Sequence, residues 1–298
     1  MKIGTTEKRI NSYKEYEEKM KSYTDHIEKM MIGKKGQPIP LSVMIVSGEK
    51  GVGKSYMAEK ILSNQTIRKY NICKDAVSPV QLYQLLWRNN DSIIVLDDVS
   101  GILTDPKDGA ALLKAATETR HKRSIEWRKQ NHLCIPVSSH NPVDNDEVER
   151  YMNSYVENSF NKKLKVKHQD GQTFPDQFYF TGSIIILTNK PLSLIDRYSE
   201  GAISNRGWHQ EMLFTVDGAI DLLKHSVNKM TNFRDTKISI TNVKKALAFM
   251  TTKDAIEYYH RANVIPTLRN LGNIALDIQN GMPIDRNLLL SYTEPSVY

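Results

Sequence analysis

The chain has 298 residues, with 41 Lys and Arg against 34 Asp and Glu and a formal net charge of +7. Its 40% hydrophobic and 25% charged residues, with only 15 Gly and 11 Pro, exclude collagen-like, low-complexity and largely disordered chains and leave one large or two modest globular domains. Two distant cysteines, Cys73 and Cys134, cannot build a secreted disulfide framework. No stretch approaches the ~20 apolar residues of a membrane span, and the charged N-terminus lacks the apolar core of a signal peptide, so a cytoplasmic protein with no membrane partner is expected.

From Ile10, the residues Tyr13, Tyr16, Met20, Tyr23, Ile27 and Met30 recur every three or four positions, which predicts one amphipathic helix over 6–31. Gly and Pro in GKKGQPIP, residues 33–40, mark a linker. Apolar runs of buried-strand length follow at 41–47 (LSVMIVS), 92–96 (SIIVL), 183–187 (SIIIL) and 212–216 (MLFTV), with helical patterns between them. Near-continuous apolar strands imply a sheet covered on both faces, hence an α/β core. From Asp217 the pattern is helical, in AIDLLKHSV, VKKALAFM and LRNLGNIALDI. The stretch from Pro283 to Tyr298 has no clear period and reads as irregular or docking. The expected division is 1–36 for the N-terminal helix and linker, 37–217 for the α/β core, and 218–298 for a small helical domain with its tail.

Gly48, Glu49, Lys50, Gly51, Val52, Gly53, Lys54 and Ser55 spell G-x-x-x-x-G-K-S between an apolar strand and a helix. Glycines let backbone N–H groups turn inward around phosphate oxygens, and the helix N-terminus adds its positive dipole end to the same anion. Lys54 is expected at the β and γ phosphates of a nucleoside triphosphate and the Ser55 hydroxyl on Mg²⁺. The strand at 92–96 ends in Asp97 and Asp98, where Asp97 fits a role on Mg²⁺ and Asp98 the polarisation of an attacking water. The similarity of the two acids leaves swapped or shared roles open.

With both motifs in hand, the sequence resembles the AAA+ branch of P-loop ATPases over residues 38–280. That resemblance implies an α/β P-loop NTPase fold with a parallel sheet and a C-terminal helical lid, ATP and Mg²⁺ as ligands, and a homo-oligomer, usually a hexameric ring. It further implies that Asn189 is the sensor residue orienting the hydrolytic water. Arg206 then resembles the arginine that reaches a neighbouring subunit's γ-phosphate, and Arg269 the lid arginine that contacts phosphates in cis, with Arg261 as its competitor.

Ninety residues separate Asp98 from Asn189, more than one helix and one strand require. A helical run from Asp108 to about Thr119 leads into the basic residues Arg120, His121, Lys122 and Arg123. Later, Lys163, Lys165 and Lys167 alternate with Leu164 and Val166 before Asp170-Gly171, a favoured hairpin turn, so the lysines share one face of a predicted β-hairpin. Its place before the sensor strand resembles the insertion of superfamily 3 helicases and related phage and plasmid ATPases, where the tip lines the ring's pore and grips nucleic acid. The expected function is movement on or remodelling of nucleic acid by a helicase-like replication factor of phage type, with a replication protein as a further partner and the host cytoplasm as location if phage-encoded. The alternatives are a remodeller or loader acting on a polypeptide, such as a helicase or clamp, and a bare nucleotide-dependent switch. Lysines that merely guard an edge strand would need no nucleic acid. His132, Cys134 and His140 lack a fourth ligand and a metal spacing, so no metal centre is read from them.

Overall fold

The computed structural model describes residues 8–32, 42–74, 77–103, 108–127, 134–159, 174–199, 201, 203–285 and 291–292. The N-terminal helix α1 spans Tyr13–Met31, not 6–31. Ser12 stops it by accepting the Glu15 N–H at 3.3 Å, a side-chain cap. Ahead of the cap, Ile10 is extended: its N–H donates to Leu213 at 2.7 Å and its carbonyl accepts from Thr215 at 3.1 Å. The apolar stripe that sequence periodicity assigns to one helix therefore starts with a residue held in a strand-like bridge to Phe214. Met20, Tyr23, Ile27, Met30 and Met31 of α1 are buried against the same chain.

The core is a five-stranded parallel sheet. Its strands are β1 (Val43–Gly48), β2 (Tyr70–Lys74), β3 (Ile93–Asp97), β4 (Ser183–Thr188) and β5 (Trp208–Met212), in the order β2-β3-β4-β1-β5. β1 and β4 are buried along their whole length, which is why they read as unbroken apolar runs. Alternate residues feed two cores. Met44, Val46, Val95, Ile185 and Leu187 pack toward α1 and the C-terminal helices, while Ile45, Ile94, Leu96, Ile184 and Ile186 face Leu82, Leu86, Leu113 and Phe178 on the other side. This is the α/β P-loop arrangement expected from the sequence, with β4 lying between β1 and β3.

Two strands depart from the sequence reading. The last strand is WHQEM at 208–212, not MLFTV at 212–216: Leu213 and Phe214 are buried by leaving the sheet to meet Ile10, and Thr215 then caps the next helix. β2, an edge strand with exposed ends, has no apolar run to announce it.

Helix α2 (Lys54–Ser63) follows β1, and α3 (Pro79–Arg88) follows β2 behind a Ser78–Gln81 capping box. Between β3 and β4 lie α4 (Asp108–Ala116) and α5 (Asn145–Ser159). A short antiparallel pair also lies there, in which Arg123–Glu126 meets Gln177–Phe180 with Ile125 opposite Phe178. Arg123, the last of the four basic residues at 120–123, is 1% exposed, its guanidinium donating to the carbonyls of Ala116 (2.9 Å), Phe180 (3.2 Å) and Gly182. It stitches the C-terminus of α4, where a cation is favoured, to the segment entering β4.

After α6 (Leu192–Ser199) and β5 come α7 (Val216–Ser226), α8 (Ile240–Met250), α9 (Lys253–Ala262) and α10 (Leu268–Gln279), with a small hairpin pairing Asn232 with Lys237 and Phe233 with Thr236. Tyr292 docks on α10, its hydroxyl donating to Asp277 at 2.6 Å. No helix among the described residues is long and apolar enough to cross a membrane.

Candidate functional site

The sheet register aligns the C-terminal ends of its central strands. Ser47 stands opposite Thr188 and Asp97 opposite Leu187, so Gly48, Asp97, Asp98 and Asn189 emerge at one edge of the sheet. Ligands of open parallel sheets bind at such an edge, beyond the strands' carboxyl ends. Here the edge opens into a cleft of about 1330 Å³, floored by Gly51, Gly53, Lys54 and Ser55, with Asp97, Asp98 and Asn189 on one side and Arg269 and the 232–235 hairpin on the other.

The glycines of the loop are required by its shape. Gly48, Gly51 and Gly53 have φ of 134°, 71° and 96°, in the region that favours glycine. A Cβ at Gly48 would lie 2.3 Å from the Met212 carbonyl oxygen, and one at Gly51 2.8 Å from the Arg269 Cβ. The loop is thus threaded between the end of β5 and the first turn of α10. Glu49, 6% exposed, donates its N–H to the Met212 carbonyl at 3.1 Å.

Lys54 is the buried cation of the site. Its ammonium donates to the carbonyls of Gly48 (2.8 Å) and Glu49 (2.7 Å) and to Asn189 Oδ1 (3.0 Å), and it is 6% exposed. Burial lowers its pKa to about 8, although Asp97, Asp98 and Glu49 pull the other way. Ser55 Oγ donates to Asp97 Oδ1 at 2.8 Å, and burial raises the Asp97 carboxyl against the opposing effect of that hydrogen bond. A serine hydroxyl and a carboxylate meeting beside a phosphate loop form the hard oxygen donor pair that suits Mg²⁺. Asp98 has φ of 57°, its N–H donating to the Leu187 carbonyl at 2.8 Å, and it accepts from Asn189 Nδ2 at 3.0 Å.

Arg269 lines the same cleft from the first turn of α10, which Thr267 starts by accepting the Asn270 N–H at 3.2 Å. Arg261, its sequence-level competitor, is exposed on α9 and does not line the cleft. Arg206 is also outside the cleft: half-buried as the last residue of a short 3₁₀ turn, it donates to the Lys114 carbonyl near the end of α4. Lys163, Lys165 and Lys167 lie outside the described residues, as does His132. Cys134 is half-buried and the His140 ring lies 4.0 Å from that of Tyr151; among the described residues no three His, Cys, Asp or Glu are grouped to hold a metal.

Sequence reasoning did not assign two further contributors to this cleft. Lys229 and the hairpin residues Asn232, Phe233, Arg234 and Asp235 form its outer wall. On the loop's other side, the Tyr16 hydroxyl donates to the Val52 carbonyl and the Tyr23 hydroxyl to the Lys54 carbonyl, each at 3.0 Å. The only signal for these is the choice of tyrosine, which carries a polar tip, on an otherwise apolar helix face.

No protein-family model matches the chain. Over 89 residues it is 34% identical to an uncharacterised 36.7 kDa protein encoded in the nrdC-mobD intergenic region of Enterobacteria phage T4, a match that spans 28% of this chain and 27% of the phage protein. Among solved structures, the RuvB Holliday junction branch migration motor of Thermotoga maritima is similar at 14% identity over 95% of this chain and 71% of that chain, with a TM-score of 0.39. Two single-residue variants of the same RuvB give 14% and 13% identity at the same TM-score.

Proposed function

We propose that the protein is a Mg²⁺-dependent ATP hydrolase of the AAA+ type that works as an oligomer on nucleic acid. The observation that carries the ATPase reading is the linked set at the cleft floor, Lys54 to Asn189 to Asp98 beside Ser55 to Asp97. ATP would supply a phosphoanhydride and Mg²⁺ the neutralisation of its developing charge. The glycine loop and Lys54 would hold the phosphates, Ser55 and Asp97 the metal, and Arg269 would report the phosphates to the helical region behind it. Asp98 would polarise water that Asn189 orients, accepting the proton on its carboxylate. Arg206 would complete the site of a neighbouring subunit, which implies an assembly, a hexameric ring being the form the AAA+ resemblance suggests.

The nucleic-acid part of the proposal rests on Lys163, Lys165 and Lys167 and on the net charge of +7. In a helicase-like phage replication factor the three lysines would grip phosphates, and each contact would release bound counterions. The test is ATP turnover by the full chain with Mg²⁺ or with excess chelator, in the presence and absence of single-stranded and duplex DNA. Mg²⁺-dependent turnover that DNA stimulates, with stimulation and salt-sensitive DNA binding both lost on changing the three lysines to Ala, is the expected result. Absence of turnover under all conditions overturns the ATPase reading. Equal DNA affinities and salt slopes for parent and triple variant remove the lysines from the nucleic-acid role and favour a polypeptide substrate.

A further inference from the structure

We propose that α1 is a positioning element of the phosphate loop: the hydroxyls of Tyr16 and Tyr23 pin the carbonyls of Val52 and Lys54, and so turn the N–H groups of Gly53 and Ser55 toward an anion in the cleft. The inference deepens the nucleotide reading above and rests on it.

The geometry supplies the argument. In a trans peptide the C=O of one residue and the N–H of the next point in opposite directions. Fixing the Val52 carbonyl on Tyr16 at 3.0 Å therefore fixes the direction of the Gly53 N–H, and the Lys54 carbonyl, already aligned at the start of α2, is held further on Tyr23 at 3.0 Å with the Ser55 N–H opposite it. Gly53, Lys54 and Ser55 all line the cleft, whereas Tyr16 and Tyr23 belong to the core packed behind the loop. Gly53 has φ of 96°, and the Tyr16 hydroxyl lies 3.3 Å from where its Cβ would be, so the clamp closes on one of the loop's positive-φ glycines.

The two tyrosines are seven residues apart, which places them on one face of α1. Tyr13, one turn earlier, accepts from Lys229 Nζ at 3.1 Å, and Lys229 belongs to the cleft's outer wall. Burial pushes the Tyr16 hydroxyl up to about 12 and that of Tyr23 higher, so both remain donors at any pH at which the protein would work. An anion-binding loop gains affinity when its N–H groups are aimed before the ligand arrives, because the ligand then need not order them.

The test compares the full chain with Tyr16→Phe, Tyr23→Phe, the double variant and a control, Tyr83→Phe. Tyr83 is a fully buried tyrosine on the other face of the sheet whose hydroxyl donates to the Pro175 carbonyl at 2.9 Å, so the control removes the same type of hydrogen bond away from the loop. Amide hydrogen exchange of residues 49–55 in nucleotide-free protein and the dissociation constant for Mg-ATP are measured on each. The expected result is faster loop exchange and ATP binding weakened roughly fivefold for each single Phe variant, the effect of one net hydrogen bond. The control should lower thermal stability and move neither reading. If loop exchange or ATP affinity in both clamp variants stays with the control, the clamp does not position the loop and the proposal is overturned. Should Tyr23→Phe fail to fold, Tyr16→Phe, at a half-buried position, makes the same comparison. If the parent binds no ATP, the nucleotide reading falls, and loop exchange alone decides whether α1 sets the loop.

Discussion

Asn189 joins Lys54 to Asp98: its side-chain carbonyl accepts from Lys54 Nζ and its amide donates to Asp98 Oδ2, both at 3.0 Å. The orientation of the amide is dictated by chemistry, since an ammonium can only donate and a carboxylate can only accept. One residue just past the end of β4 thus bridges the cation proposed for phosphate and the carboxylate proposed for water.

Separate roles for these three residues predict separable kinetics. Lys54→Ala should weaken ATP binding and turnover together, because a ground-state phosphate contact and transition-state charge stabilisation are both lost. Asp98→Asn should bind ATP near normally and lose about 10²–10⁴-fold in kcat, the range of a general base. Asn189→Ala should also fall mainly in kcat, by less, because Asp98 keeps its carboxylate and loses only its orientation. Steady-state kinetics paired with ATP-binding titrations on the three variants check this. Full turnover in Asp98→Asn would sink its assigned role.

The buried ammonium gives a second prediction, in pH. Lys54 has a pKa of about 8 in the folded chain, below the ~10.4 of an unfolded lysine. The unfolded chain therefore binds more protons between those values, and this group makes the folded state more stable as pH rises from about 8 toward 10.4. A triphosphate favours the charged form, so binding ATP raises the pKa again and draws a proton from solution. More proton should therefore be taken up at Lys54 per ATP bound at pH 9 than at pH 7. Calorimetric titrations in buffers of different ionisation enthalpy measure this directly. Lys54→Arg, which cannot titrate in this range, should show no such uptake at pH 9; equal uptake by parent and variant would place the proton elsewhere.

Which parts of this were readable in the sequence follows from where the signals come from. β1, β3 and β4 are enclosed on both faces, so burial alone writes them as apolar runs. The phosphate loop is legible because three positions with positive φ demand glycine and the chemistry demands Lys and Ser after them. The edge strands β2 and β5 carry only half of that constraint. Leu213 and Phe214 then misplace β5, since their burial comes from the bridge to Ile10, a contact across more than 200 residues that periodicity cannot register. Arg123 is hidden in the opposite sense: nothing in a row of four basic residues marks one of them for the interior, yet three carbonyls converge to accept it there. The tyrosine clamp was invisible because a hydrophobic pattern counts the rings and says nothing of where the hydroxyls point.

Arg206 supplies the last prediction. It does not line the cleft of its own chain, and its guanidinium donates to the Lys114 carbonyl, near the C-terminus of α4 where a cation is favoured. Among the described residues that contact leaves most of the five donors of a planar fork for another acceptor. If those donors serve a neighbouring subunit's γ-phosphate, a subunit lacking Arg206 still has an intact phosphate loop, and a subunit lacking Lys54 still has an intact arginine. Arg206→Ala and Lys54→Ala proteins, each nearly inactive alone, should then recover part of the ATPase activity when mixed, because some interfaces pair an intact loop with an intact arginine. Arg206→Lys should not substitute for the parent, since a point charge lacks the fork. The measurement is turnover against mixing ratio, with subunit exchange verified independently. A curve that stays at the level of the separate mutants at every ratio, with exchange demonstrated, would confine Arg206 to holding α4 within its own chain.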